Sequence, residues 1–146
     1  MDSIKYCNEV VARLETLMFQ ELSGMAYWKC EFVGADFIRS ANIQGKNVTE
    51  IIESCIKAMK EAGIVSDISY KVGPDGILLK LKVKNCIHHL KEALVKAEGV
   101  DPYLCPITNM ILDQIHDKLK YETSYKAKMA IDAENKQCII LSLIHI

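Results

Sequence analysis

The apolar residues in the first third of the chain recur every three or four positions, which is the spacing of amphipathic helices. A first helix is predicted to begin at Asp2 or Ser3 and to end near Gly24. Its apolar positions are Ile4, Cys7, Val10, Val11, Leu14, Leu17, Met18 and Leu22. The same spacing favours a second helix over residues 25–41.

The residues at the start of a third helix identify it most clearly. Asn47 and Glu50 match a capping box, in which two side chains accept hydrogen bonds from backbone N–H groups of the first turn. Apolar residues then follow at helical spacing until Gly63, which ends the helix. We therefore expect three helices before the first strand.

Beyond Gly63 the apolar residues begin to alternate with polar ones, which indicates strands. Two alternating runs, residues 64–72 and 77–83, flank the turn sequence Pro74-Asp75-Gly76. Proline and glycine in such a turn favour a tight reversal of the chain. The sequence therefore predicts an antiparallel hairpin.

The remaining elements are two helices and a second hairpin. The helices are expected at residues 87–98 and from Pro106 to about residue 119, because proline suits the first turn of a helix. The second hairpin is expected from residues 121–131 and from residue 137 onward. This order predicts an α+β fold: a single domain with a mainly antiparallel sheet of two hairpins and helices packed on one side.

Composition and charge exclude several classes of protein. The 146 residues fit one domain, and 18 Lys and Arg against 19 Asp and Glu leave a net charge of −1. We therefore expect no nucleic-acid partner. No apolar run approaches the roughly 18 residues that span a bilayer, and the first residues lack a signal-peptide pattern. Six cysteines are too few for a disulfide-built secreted domain, so a cytoplasmic location is expected.

The last six residues, 141–146, need separate treatment. Their sequence, LSLIHI, is the in-frame translation of a transposon end sequence used to prepare DNA sequencing libraries. Such additions are kept out of reasoning about folds and sites. We therefore assign the domain to residues 1–140, interpret residues 141–146 as a sequencing-adaptor artefact, and expect the natural chain to continue past Ile140. The alternative is a native final strand, because the residues alternate.

The densest set of reactive side chains suggests a metal site at Cys86, His89, Cys105 and Cys138. Thiolates and imidazoles are the ligands that zinc prefers, and zinc normally takes four in a tetrahedron. The zinc would be structural, because nothing nearby supplies the general base of a catalytic site. The alternative is a set of buried cysteines beside surface histidines.

The same residues support two further interpretations. Cys105 precedes a predicted helix, whose dipole lowers a thiol pKa, and His88 or His89 would serve as the base of a redox or thiol enzyme. The second interpretation is a disulfide between Cys86 and Cys105, although a reducing cytoplasm argues against it. Burial in the core is expected of the remaining cysteines, Cys7, Cys30 and Cys55.

The aromatic residues concentrate in one segment, residues 25–37. Aromatic side chains in one segment can line an apolar pocket, although they more often complete a core. The candidate ligand-binding residues are Trp28, Phe32 and Phe37.

Four short motifs carry a resemblance to a known family. They are residues 34–39 (GADFIR), residues 60–63 (KEAG) before a hairpin, Cys105-Pro106 opening a helix, and Glu122 with Cys138 bounding the final hairpin. Together they resemble the 4-vinyl reductase domain, a hydrocarbon-binding family related to the ligand-binding fold of Golgi-transport and nitric-oxide-signalling proteins. The resemblance covers about residues 25–140.

This resemblance implies a dimeric domain that binds or senses small apolar molecules, with a cysteine cluster that carries over to Cys105 and Cys138. The leading hypothesis is therefore a binding module with an apolar pocket between helices and sheet, and with structural zinc. A binding or regulatory role is favoured over catalysis. The alternatives are the thiol enzyme and a dimeric interaction subunit without a small ligand.

Overall fold

The computed structural model describes residues 2–26, 30–73 and 78–145. The helices in these ranges are α1 (Ser3–Leu22), α2 (Ala35–Ser40), α3 (Val48–Glu61), α4 (His89–Ala97) and α5 (Pro106–Leu119), with a 3-10 turn at Ser23–Met25. The strands are β1 (Asp67–Val72), β2 (Leu78–Lys84), β3 (Glu122–Asp132) and β4 (Gln137–His145). The predicted turn at residues 74–76 lies outside the described residues.

The four strands form one antiparallel sheet in the order β1-β2-β4-β3. Pairing of β2 with β4, in which Leu81 lies opposite Ile140, joins the two predicted hairpins into one surface. The predicted α+β fold with a mainly antiparallel sheet is confirmed. None of the helices within the described ranges is both long and apolar enough to cross a membrane.

The main core lies between one face of the sheet and helices α3 and α5. Alternate residues of β2 point into it, whereas Lys80 and Lys82 on the same strand are exposed. The fully buried side chains of this core include Ile51, Ile52, Met59, Leu79, Leu81, Ile107, Met110, Ile111, Ile115 and Ile140. The apolar residues therefore recur every second position in β2 and every third or fourth position in α3 because each element buries one face.

The capping box at the start of α3 is confirmed, with one change. Asn47 Oδ1 accepts a hydrogen bond from the Glu50 N–H at 2.9 Å. Glu50 Oε2 accepts one from the Lys46 N–H at 2.7 Å, one residue earlier than in the usual box. The two side chains therefore satisfy N–H groups on both sides of the helix start.

The prediction of one helix over residues 25–41 is wrong, because a turn at residues 31–34 interrupts it. Gly34 has φ = +98°, a conformation that side chains disfavour, and α2 begins directly after it. A Cβ atom at Gly34 would lie 3.1 Å from the Pro106 Cβ, so glycine allows α2 to approach α5 closely. Arg39 then binds both carboxylate oxygens of Asp113 on α5, at 2.6 and 3.2 Å.

Helix α1 buries a mainly polar face and exposes its apolar face, which is the reverse of the usual arrangement of an amphipathic helix. Its buried residues are Asn8, Ala12, Glu15 and Thr16, whereas most of its predicted apolar positions are exposed. The expectation that Cys7 packs in the core is therefore wrong, since Cys7 is exposed; Cys30 and Cys55 are buried as expected. Apolar periodicity marks this helix correctly but does not reveal which face is buried.

A buried polar network holds α1 against α4. The Lys91 Nζ donates to Glu15 Oε1 at 2.8 Å, and also to Glu92 Oε1 and the Leu104 carbonyl oxygen. Asn8 Oδ1 accepts the Lys91 backbone N–H at 2.9 Å. The Lys91 side chain is completely buried, and its three acceptors match the three N–H donors of an ammonium group.

Replacing Lys91 by methionine should destabilise the protein by about 3–5 kcal/mol, because two buried carboxyl groups lose their counter-charge. Lys60→Met is the matched control, since Lys60 forms an exposed ion pair with Asp67, and it should change stability by less than about 0.5 kcal/mol. Urea unfolding measures both variants. Equal stabilities of the two variants would contradict a structural role for the network.

Candidate metal centre

Four elements bring the predicted zinc ligands to one end of the sheet. Cys86 lies between β2 and α4, and His89 is the first residue of α4. Cys105 is the N-cap residue of α5, and Cys138 is the second residue of β4. All four side chains line the same small cavity.

Thiols, imidazoles, one carboxyl group and apolar side chains line the cavity. Its lining comprises Val83, Cys86, His88, His89, Glu92, Cys105, Pro106, Ile107, Met129, Cys138 and Ile140. Its central free space is about 10 Å³, close to what one water molecule requires. The cavity therefore suits a single atom or ion and is too small for a hydrocarbon.

The distance between two of the predicted ligands is compatible with a zinc site. Cys138 Sγ lies 3.6 Å from His89 Nδ1. Zinc bonds of about 2.3 Å to sulfur and about 2.0–2.1 Å to nitrogen, at a tetrahedral angle, separate the two ligand atoms by about 3.6 Å. A thiol–imidazole hydrogen bond is the other interaction that fits this distance.

The other two thiols point to hydrogen-bonding partners. Cys105 Sγ accepts from the Thr108 hydroxyl at 3.3 Å, and Cys86 Sγ accepts from the His88 N–H at 3.4 Å. Over the described ranges, no three His, Cys, Asp or Glu side chains already lie in positions that would hold a metal ion. Completing a four-ligand site therefore requires the Cys86 and Cys105 side chains to rotate.

Burial favours the neutral forms of these predicted ligands. It raises the pKa of Cys86 and of Cys138 to about 12, and it raises the pKa of Cys105 as well. Burial also lowers the pKa of His88 to about 4 and lowers that of His89. Without a cation the cavity therefore holds protonated thiols and neutral imidazoles.

Glu92 is the cavity residue that the sequence interpretation missed. Its side chain is 4% exposed, and one carboxylate oxygen binds Lys91. Its other oxygen, Oε2, and His89 Nε2 have no hydrogen-bond partner within the described part of the chain. Burial raises the pKa of Glu92 to about 7 despite Lys91. The sequence did offer a sign of this: Glu92 follows His89 by three residues, which places the two side chains on one face of α4.

The predicted ligand-binding aromatic residues lie away from this cavity. Trp28 falls outside the described residues. Phe32 is 60% exposed, with the Arg39 guanidinium 5.9 Å from its ring centre, and Phe37 is 36% exposed. Neither phenylalanine lines the thiol cavity.

A larger cleft lies between the outer face of β3–β4 and the residues that follow α4. Its volume is about 400 Å³, within the range of small-molecule sites. Its lining comprises Lys96, Asp101, Pro102, Met129, Ala130 and Ile139, together with Leu141 of the segment interpreted above as an artefact, which is left out of the argument below. Met129 also lines the thiol cavity, so the two spaces adjoin through one side chain.

No protein-family model matches the sequence, and no curated protein matches it. The chemistry of Cys86, His89, Cys105 and Cys138 is therefore interpreted from their geometry and surroundings. That geometry favours a buried, ion-sized site over an exposed reactive thiol.

Thiol labelling should separate buried from reactive cysteines. A maleimide at neutral pH should modify Cys7, which is exposed, and leave Cys105 unmodified, because burial hinders access and raises the pKa of its thiol. Intact-protein mass spectrometry counts the labels, with Cys7→Ser as the control that should remain unlabelled. Rapid labelling of Cys105 would contradict this and favour a thiol enzyme.

Proposed function

We propose that this chain is a small-molecule-binding or sensing domain, similar to 4-vinyl reductase domains, that contains one structural zinc ion. The proposed ligands are Cys86, His89, Cys105 and Cys138. Their convergence on one ion-sized cavity is the observation that carries the proposal. The distance between Cys138 Sγ and His89 Nδ1 adds support, because it equals one edge of a zinc tetrahedron.

A structural role follows from where the ligands lie in the fold. They belong to three parts of the chain that are distant in sequence: the junction between β2 and α4, which carries Cys86 and His89, the start of α5 and the start of β4. A cation joining them would connect the sheet to both helices. Because thiols lose their protons on binding zinc, affinity should rise with pH. The thiol-enzyme alternative has less support, since a nucleophile needs a lowered thiol pKa.

The proposed small-molecule site is the cleft beside β3 and β4. Ala130 and Ile139 contribute apolar surface to its lining, and Lys96 and Asp101 contribute charged groups. This lining suits a mainly apolar ligand that also carries a polar group. Because Met129 borders both the cleft and the thiol cavity, a bound ligand would contact the wall of the proposed zinc site.

The proposed setting is the cytoplasm, and the proposed protein partner is a second copy of the chain. Free thiols at Cys86 and Cys138 are compatible with a reducing compartment. The homodimer is implied by the resemblance.

Metal analysis tests the zinc proposal. Protein purified without chelator should contain about one zinc ion per chain, and Cys105→Ala and Cys138→Ala should each lose most of it. Cys55→Ala is the matched control, because Cys55 is equally buried but does not line the cavity. The control should retain zinc. Metal-free wild-type protein that is fully folded would overturn the proposal.

Fluorescence of the apolar probe N-phenyl-1-naphthylamine tests the cleft. The probe should bind the wild-type protein, and Ile139→Ser should weaken binding by about fivefold to tenfold, since it removes apolar contact. Phe32→Ala should leave binding unchanged. The reverse result, with loss only in Phe32→Ala, would contradict the cleft and support the aromatic segment around Trp28, Phe32 and Phe37.

A further inference from the structure

The loop between α4 and α5 is held in place by two side chains of the buried polar network. Residues 100–104 of this loop belong to no helix or strand, so contacts with other segments fix their positions. The Leu104 N–H donates to Glu15 Oε1 at 3.2 Å, and the Leu104 carbonyl oxygen accepts from Lys91 Nζ. Both backbone groups of Leu104 are therefore bound, directly before the proposed zinc ligand Cys105.

The same network reaches the thiol cavity a second time, through Glu92. One carboxylate oxygen of Glu92 binds Lys91 Nζ, and the other, Oε2, is buried without a hydrogen-bond partner among the described residues. Glu92 lines the cavity together with Cys105 and Cys138. Burial raises the pKa of both thiols, and the charge of Glu92 raises it further. The network therefore contributes a carboxyl group to the cavity wall as well as fixing the backbone before one of the thiols.

The contacts that attach α1 to the rest of the fold are largely polar. Its buried residues, of which one is apolar, are Asn8, Ala12, Glu15 and Thr16. None of residues 3–22 belongs to the main core. Asn8 and Glu15 bind Lys91 on α4, and the Tyr103 hydroxyl donates to the Glu15 carbonyl oxygen at 2.6 Å. The position of α1 and the position of the loop before Cys105 therefore depend on the same residue, Glu15.

We propose that Glu15 positions the zinc site from α1, so that zinc binding and the docking of α1 against α4 are coupled. This inference rests on the zinc ion proposed above. Glu15 does not line the cavity and acts through Leu104 and Lys91. When α1 detaches, the Leu104 N–H loses its acceptor and Lys91 loses one of its two counter-charges. Because coupling between two sites is reciprocal, zinc must in turn stabilise the docked position of α1.

The precision that zinc requires explains why the backbone before Cys105 matters. Distances between zinc and its ligand atoms stay within about 0.2 Å of their usual values. Rotation of the Cys105 side chain moves its sulfur atom along one small circle, whose place is set by the backbone. A shift of Leu104 therefore displaces every position that the Cys105 sulfur can reach, and the zinc affinity falls although all the ligands are still present.

Zinc affinity of the full chain, measured by competition with a chromophoric chelator, tests the positioning role. Glu15→Ala should raise the zinc Kd about tenfold to a hundredfold, as expected for a residue that orients metal ligands. Glu15→Gln should bind zinc more tightly than Glu15→Ala, because it keeps an oxygen that accepts the Leu104 N–H. Arg13→Ala is the matched control, since Arg13 joins α1 to Glu98 only through an exposed ion pair. Equal affinities in all these proteins would overturn the inference.

Hydrogen exchange of the wild-type chain, followed by mass spectrometry, tests the coupling without any substitution, so it is decisive even if Glu15→Ala does not fold. Added zinc should slow the exchange of α1 about tenfold. It should leave the local exchange of β1 unchanged, because β1 is an edge strand with no residue in the cavity wall. Zinc that binds without slowing α1 would overturn this inference alone. A folded wild-type chain that binds no zinc would overturn the proposed zinc site, and this inference with it.

Discussion

The burial of the Lys91 ammonium between Glu15 and Glu92 is the interaction on which the arrangement of the helices depends. A charge without water must find hydrogen-bond partners for every donor. Glu15 on α1, Glu92 on α4 and the carbonyl oxygen of Leu104 supply them. Because α1 must turn Glu15 inward to do so, its apolar residues turn outward. One buried charge therefore determines both the packing of α1 and the surface that the domain presents.

Helix α4 connects this network to the thiol cavity. Its Lys91 faces α1, whereas His89 and Glu92 line the cavity at the end of the sheet. Glu92 belongs to both, since one oxygen binds Lys91 and the other has no partner among the described residues. If the cavity holds zinc, as proposed, the charge of the cation would favour the ionised form of Glu92 as Lys91 does. The network and the cavity are thus electrostatically linked through one carboxyl group.

Much of the secondary structure could be predicted because its causes are local. Asn47 caps α3, Pro106 begins α5, and the alternation around Lys80 and Lys82 marks a strand with one buried face. The break at residues 31–34 was missed because Gly34 is needed for the approach to α5, a contact that the spacing of apolar residues does not encode. Glu92 was missed for a similar reason: its place in the cavity depends on burial and not on a motif.

The order of the elements and the caps could be predicted from residue types and spacing, and the same residue types suggested the cysteines and histidines as candidate metal ligands. Tertiary structure alone decided that Cys86 and Cys138 share a cavity, since this requires β2 to pair with β4 in the observed register. It also decided which face of α1 is buried. Periodicity records that a helix has an apolar and a polar face, but the counter-charge for Glu15 lies far along the chain, on α4, and only folding brings the two together.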